Sequence, residues 1–292
     1  MKVIQVLMLA IGGLLLGCTE EVDSGKLLDA DNKVYIQSYI SPSDTLISIN
    51  VSRALSTFGT VFKKNDREEY IEKFIIKNAI VQLESESGLI ITVPFVSEEN
   101  KYQLTSSLFP IIEGNSYYLK VVVDDEQYTS SCSIPKKVNN PRYNLIKGVS
   151  EYDVKQDVLK IFFDDIAGEN NFYVVGGDYS YAIDENKYIN QVYFDENRFV
   201  TDAIGDGDVL STSGDFYRNT GGEFDQESLL LQVANVEENL YQNLKATYSN
   251  QYNDGNPFAE YVIAPDNIEG KGGVGVFAGY NLTEEEIILI NE

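Results

Sequence analysis

Between Lys33 and Ile134 the chain alternates apolar and polar residues in short runs separated by turn-forming clusters, and a period of two commits those runs to strands. Val34-Tyr35-Ile36-Gln37-Ser38-Tyr39-Ile40 and Leu46-Ile47-Ser48-Ile49-Asn50-Val51 flank Ser41-Pro42-Ser43-Asp44, which predicts a hairpin with a four-residue connection. In the second run Leu46, Ile47, Ile49 and Val51 compete for the buried face. Strand patterns return at Ala79–Glu84, Leu89–Phe95, Tyr117–Val123 and Tyr128–Ile134. The 20 Tyr and 14 Phe fit the same picture, because aromatic and β-branched side chains suit a half-buried pleated surface. Seven or so strands with turns roughly every ten residues predict an immunoglobulin-like β-sandwich over residues 32–138.

Pro135 breaks the alternation, and Lys136-Lys137-Val138-Asn139-Asn140-Pro141 reads as a linker. Residues 139–292 then form a second β-rich domain with one short helix. Strands are expected at Val158–Phe163, Asn171–Gly177 and Leu229–Ala234, with acidic and Gly-rich loops filling 195–228. Leu240, Leu244 and Thr247 recur at helical spacing behind Glu237 and Glu238, which places the helix over Glu237–Tyr248. One or two helical turns over 66–74, or a long excursion between strands, complete the reading.

Charge and missing residue types exclude several functions. With 46 acidic against 22 basic side chains the formal charge is −24, which opposes binding to nucleic acid, where Lys and Arg must displace counterions. No His is present, so neither a Ser-His-Asp unit nor an imidazole metal site can form. An enzyme is not expected.

The start of the chain is a targeting signal. Lys2 precedes an apolar run, Val3 to Gly17, of 15 residues that ends at Cys18. A membrane-spanning helix needs about 20 apolar residues, so the run reads as a secretory signal peptide over 1–17. Leu15-Leu16-Gly17-Cys18 resembles the bacterial lipobox, which implies lipid on the Cys18 thiol, cleavage before it and acylation of the new amine. Residues 18–31 follow as the acylated Cys and an acidic tether. Glu20, Glu21 and Asp23 are similar to the export signal that sends lipoproteins of Bacteroidota to the outer face of the outer membrane; a plain solvated tether is the other reading. Removing residues 1–17 takes away Lys2 and no acidic residue, moving the charge from −24 to −25. The remaining cysteine, Cys132, sits in an alternating stretch with no Lys or Arg beside it and reads as a buried, inert thiol.

Three motifs invite a chemical reading. Gly270-Lys271-Gly272-Gly273-Val274-Gly275 spells the dinucleotide fingerprint, but only 17 residues follow it and no helix can start there. A Gly-rich strand or bulge, where two backbones approach closely, is expected instead of a nucleotide site. Asp202, Asp206 and Asp208 lie within seven residues and offer a weak Ca²⁺ candidate, against the alternative of a solvated acidic turn. Asp164 and Asp165 are a carboxylate pair, yet neighbours on a strand point to opposite faces and cannot share a site. The Tyr surplus would suit sugar or peptide stacking platforms, although strand packing explains it equally well.

Nearly the whole chain resembles domain-of-unknown-function family 4249, outer-membrane lipoproteins of Bacteroidota. The resemblance rests most on Asn256-Pro257-Phe258-Ala259-Glu260, Asp266-Asn267-Ile268-Glu269-Gly270 and the Gly272–Tyr280 segment. It departs from the family pattern at Tyr261, where Pro commonly follows, and around 195–215. Members are found beside TonB-dependent transporters. The resemblance therefore implies a lipid-anchored protein facing the cell exterior that assists a transporter in nutrient capture; the alternative is a structural or adhesive surface component without a small-molecule ligand. It supplies no catalytic or binding residue, and no cofactor.

Overall fold

The computed structural model describes residues 33–53, 73–148, 150–151, 154–183, 186–219, 226–251 and 262–289. The expected leader, Cys18, the tether residues Glu20, Glu21 and Asp23, and the Asn256-Pro257-Phe258 segment lie outside them. So do most of the expected helical turns over 66–74, of which Lys73 and Phe74 are described and helical. The fold is mainly β.

The hairpin forms as its alternation demands. β1 (Val34–Ile40) and β2 (Leu46–Arg53) pair antiparallel, and the Ser41 carbonyl accepts the Asp44 N–H at 3.2 Å across the connection. Ile47, Ile49 and Val51 take the buried face of β2, and Leu46 is left exposed. Next come β3 (Ile80–Ser85), β4 (Ile90–Val93), β5 (Phe95–Val96), β6 (Lys101–Thr105), β7 (Ser116–Val123) and β8 (Glu126–Ser133). The short β6 escapes a pattern search, yet Tyr102 within it is a core residue. Its hydroxyl donates to the Ile76 carbonyl at 2.9 Å and accepts from Ala79 N–H at 2.8 Å.

The second half contains β9 (Arg142–Ile146), β10 (Ser150–Glu151), β11 (Val154–Asp164), β12 (Phe172–Ile183), β13 (Asn186–Gln191), β14 (Phe199–Thr201), β15 (Val209–Asn219) and β16 (Gln226–Val236). Helix α1 (Glu238–Asn250) and β17 (Gly273–Leu289) end the described chain. Most of the described residues in the stretch expected as loop, 195–228, are therefore strand. β15 pairs with β11 along eleven residues, from Val209↔Asp164 to Asn219↔Val154. Its inward positions are Leu210, Thr212, Gly214 and Phe216, so a hydroxyl and a missing side chain interrupt the apolar alternation that would have announced it. Gly214 is required there, since a Cβ would meet the Phe194 ring at 2.8 Å. On α1, Leu240 and Tyr241 are buried, whereas Thr247 faces out and donates its hydroxyl to the Asn243 carbonyl at 2.9 Å.

β17 joins the two halves. Gly273–Gly279 run parallel to β1, and Tyr280–Leu289 run antiparallel to β16. One sheet thus has the order β13-β12-β16-β17-β1-β2-β6-β5 with β14 on β12, spanning the linker region read from the sequence. Successive β17 side chains serve different cores: Phe277 enters the cluster beneath β3, β7 and β8, while Val276 and Ala278 pack with Leu240 and Tyr241 of α1. The sheet β4-β3-β7-β8 contributes Val81, Leu83, Leu119 and Val121 to the first of these clusters, opposite Ile36, Ile49 and Val51 of β1 and β2.

The glycines of the fingerprint-like segment answer to these close approaches. At Gly275 φ is +126°, and an added Cβ would lie 2.0 Å from the Ile36 carbonyl oxygen. At Gly279 it would lie 2.1 Å from the Ser133 carbonyl oxygen.

Candidate functional site

The outer face of the sheet β4-β3-β7-β8 is polar by the same alternation that makes its inner face apolar. Register places two rows of outward side chains across it: Gln82, Lys120 and Thr129 in one, and Ile90, Glu84, Tyr118 and Ser131 in the other. A sheet face alone would be flat. Here the segment Asp266–Glu269 runs along β8 and forms a wall of a groove of about 770 Å³ that Asn239 of α1 also lines.

The wall is fixed by its own backbone and one amide. Thr129 N–H donates to the Glu269 carbonyl at 2.9 Å, and Glu269 N–H donates to the Thr129 carbonyl at 2.8 Å. The Ser130 hydroxyl donates to the Asn267 carbonyl at 2.7 Å. Asn267 grips β17 with both ends of its side chain: Nδ2 donates to the Phe277 carbonyl at 2.7 Å, and Oδ1 accepts the Phe277 N–H at 2.9 Å. Ile268 points inward and is buried in the core, leaving Asp266 and Glu269 exposed. The motif Asp266-Asn267-Ile268-Glu269-Gly270 is thus a clamp, with Gly270 passing so close to β8 that a Cβ would lie 2.7 Å from the Gln127 carbonyl oxygen.

Glu237 positions α1, and with it Asn239. Its Oε1 accepts from Ser133 N–H at 2.7 Å and the Ser133 hydroxyl at 2.9 Å, and its Oε2 accepts from Gly279 N–H at 2.8 Å. Burial pushes this carboxyl above its ordinary range, against the pull of those three donors.

Apart from Ser130 and Asn267, the polar side chains of the groove are largely uncommitted among the described residues. Among the described residues, Gln82, Glu84, Tyr118, Lys120, Asn239 and Asp266 make no side-chain hydrogen bond or ion pair. Tyr118 is 46 % exposed, with its ring on the groove floor. Elsewhere polar side chains are spent internally. Glu227, buried on β16, pairs with Arg218 of β15 and accepts the Tyr179 hydroxyl of β12. Burial would raise the Glu227 carboxyl, but the bonds from Arg218 and Tyr179 win and hold it below the usual carboxylate value.

Of the candidates read from the sequence, Asp202 and Asp206 line one surface pocket together with Glu169. Asp202 Oδ2 accepts the Asn171 N–H at 2.8 Å and Asp206 Oδ1 accepts the Gly168 N–H at 2.7 Å. Asp208 meets the 165–171 loop through its backbone, its carbonyl accepting the Asp165 N–H at 3.0 Å. Asp202 and Asp206 therefore lace one loop to another through amides, and among the described residues no group of three acidic, His or Cys side chains could hold a metal ion. Asp164 pairs on the surface with Arg142 at 2.6 Å, while Asp165 turns inward to accept the Tyr173 hydroxyl at 2.5 Å and the Gly207 N–H at 2.8 Å. Cys132 is buried, and burial with Glu237 nearby pushes its thiol well above the ordinary value, away from reactivity.

Gln82, Glu84, Tyr118 and Lys120 are visible in the sequence only as the polar half of a strand pattern, a weak signal. The wall, more than a hundred residues downstream, carries no local sign of where it docks.

Among the described residues no helix is long and apolar enough to cross a membrane. No curated protein matches the chain. The family model Domain of unknown function (DUF4249) matches residues 20–286, spanning the groove floor, its wall and the strand that joins the two halves, and the chain belongs to that family.

Proposed function

We propose that the protein is a lipoprotein held at the outer face of the outer membrane through Cys18, where it captures a ligand for a TonB-dependent transporter. The observation that carries this reading is Leu15-Leu16-Gly17-Cys18 at the end of a 15-residue apolar run, followed at once by Glu20, Glu21 and Asp23. Lipid on Cys18 together with acylation of its amine exceeds the two-signal threshold for stable anchoring. The groove supports capture, because a walled concavity lined by uncommitted polar groups and one exposed ring is what a ligand site requires. No catalytic role belongs to this reading.

A structural or adhesive surface component is the second reading, favoured by β13. All six of its residues are exposed at the open edge of the long sheet, and Tyr188 stacks on Tyr181 with ring centroids 5.2 Å apart. Such an edge can pair with a strand from another protein. Purification of the tagged, full-length protein from detergent-solubilised outer membranes separates the two. A stoichiometric β-barrel partner is expected; recovery without one, together with capture of a matrix protein, overturns the first reading in favour of the second.

A further inference from the structure

We infer that the groove over β3, β7 and β8 binds a neutral oligosaccharide, a proposal that rests on the capture role above and names its ligand class. Tyr118 presents a ring on the groove floor, 46 % exposed, on which the C–H face of a pyranose can lie. Around that ring stand the amides of Gln82 and Asn239, the carboxylates of Glu84 and Asp266 and the ammonium of Lys120. A carboxylate accepts from two neighbouring hydroxyls, and an amide both donates and accepts, so the set matches a ligand dense in hydroxyls. Since none of these groups is engaged by another described side chain, a ligand need break no bond among the described residues to use them.

Other ligand classes fit less well. Among the described residues an anionic chain would meet Glu84, Asp266 and Glu269 against Lys120 alone, on a protein of formal charge −24. An extended peptide binds by adding a strand to an open edge, but on the walled side of the groove the β8 edge is already paired with Glu269. Of the apolar residues lining the groove, Leu83, Leu119 and Ile268 are buried in the core, which leaves Tyr118 and Ile90 exposed. The volume of about 770 Å³ falls within the roughly 300–1,000 Å³ of small-ligand sites.

The test is calorimetric titration of the full-length lipoprotein in detergent with maltohexaose, cellohexaose, laminarihexaose, xylohexaose and mannohexaose. At least one is expected to bind. Tyr118→Ala should weaken that binding by roughly tenfold or more, the scale of a lost aromatic contact, and Tyr118→Phe should retain it. Asn239→Ala, on the helix and away from the sheet, should also weaken it. Tyr143→Ala, at an exposed tyrosine of β9 that does not line the groove, should leave it unchanged. Absence of binding to all five sugars at millimolar concentration, binding that survives Tyr118→Ala with the melting temperature preserved, or Tyr118-dependent binding of a tryptic peptide mixture in their place would overturn the inference. Purification of the transporter complex is independent of this titration, so failure of the ligand class leaves the capture role standing, and loss of the partner leaves a sugar-binding result intact.

Discussion

Replacing Gly275 by Ala tests whether one strand truly holds both halves of the protein together. The residue has φ +126°, a conformation that L side chains adopt with difficulty, and the new Cβ would lie 2.0 Å from the Ile36 carbonyl oxygen and 3.0 Å from the Ile36 nitrogen. To restore an ordinary contact near 3.4 Å, β17 would have to retreat from β1 by about 1.4 Å, stretching ladder bonds on either side of the pair Ile36↔Gly275. Backbone strain of this kind costs about 1–3 kcal/mol, and each weakened backbone bond adds about 1 kcal/mol. A total of about 3–5 kcal/mol is a large share of the roughly 5–15 kcal/mol that stabilises a folded domain. At about 2–4 °C per kcal/mol for a chain of this size, the melting temperature should fall by about 6–20 °C. Gly88→Ala is the control: φ is +84°, but nothing lies within 4 Å of the added Cβ, so only the backbone term of about 1–2 kcal/mol applies. The assay is thermal unfolding followed by far-ultraviolet circular dichroism. If Gly275→Ala melts no lower than Gly88→Ala, β17 does not pair with β1 as described.

Three further outcomes follow from the buried groups. Glu227→Gln should destabilise by about 3 kcal/mol or more at neutral pH, because Arg218 loses the carboxylate it is paired with. Since the folded Glu227 carboxyl titrates below its usual 4.5, its contribution is complete above that value and fades as pH falls through the lowered one; urea midpoints of wild type and variant should converge in acid. Glu237 runs the other way: its folded carboxyl titrates above 4.5, so its linked stability is present below that value and lost as pH rises through the raised one. Glu237→Gln resembles the protonated carboxyl and removes the titration, so wild type should lose stability relative to the variant as pH rises through the raised value, read as urea midpoints. Cys132 should resist a thiol reagent in the folded protein and react fully in guanidinium, giving one reactive thiol when Cys18 carries lipid.

The β1–β2 hairpin and the helix are legible in the sequence because their signals are local. Ser41-Pro42-Ser43-Asp44 turns the chain between two alternating runs, and Leu240 and Leu244 repeat at helical spacing. Crowding at the glycines is legible too, from residues that tolerate it. What escapes is whatever depends on the other side of a contact. β15 is hidden because Thr212 and Gly214 occupy inward positions, and the need for Gly214 lies in Phe194. β17 extends over seventeen residues, but Gly275 to Gly279 are buried on both faces and show no alternation to count. Its sharing between halves follows from pairing with β1, more than two hundred residues earlier, which no window on the sequence can contain. The groove is half-readable: Gln82, Glu84, Tyr118 and Lys120 fall on one face by period alone, whereas the wall depends on Asn267 reaching Phe277 and on Ile268 entering a core built by other strands.

The most direct test of a lipid-anchored protein facing the cell exterior is digestion of intact cells with proteinase K, followed by immunoblotting, with lysed cells digested in parallel. Loss of the full-length band from intact cells, by cleavage in the proposed tether between Cys18 and the first strand, is the predicted result. Complete protection in intact cells together with digestion after lysis would contradict it.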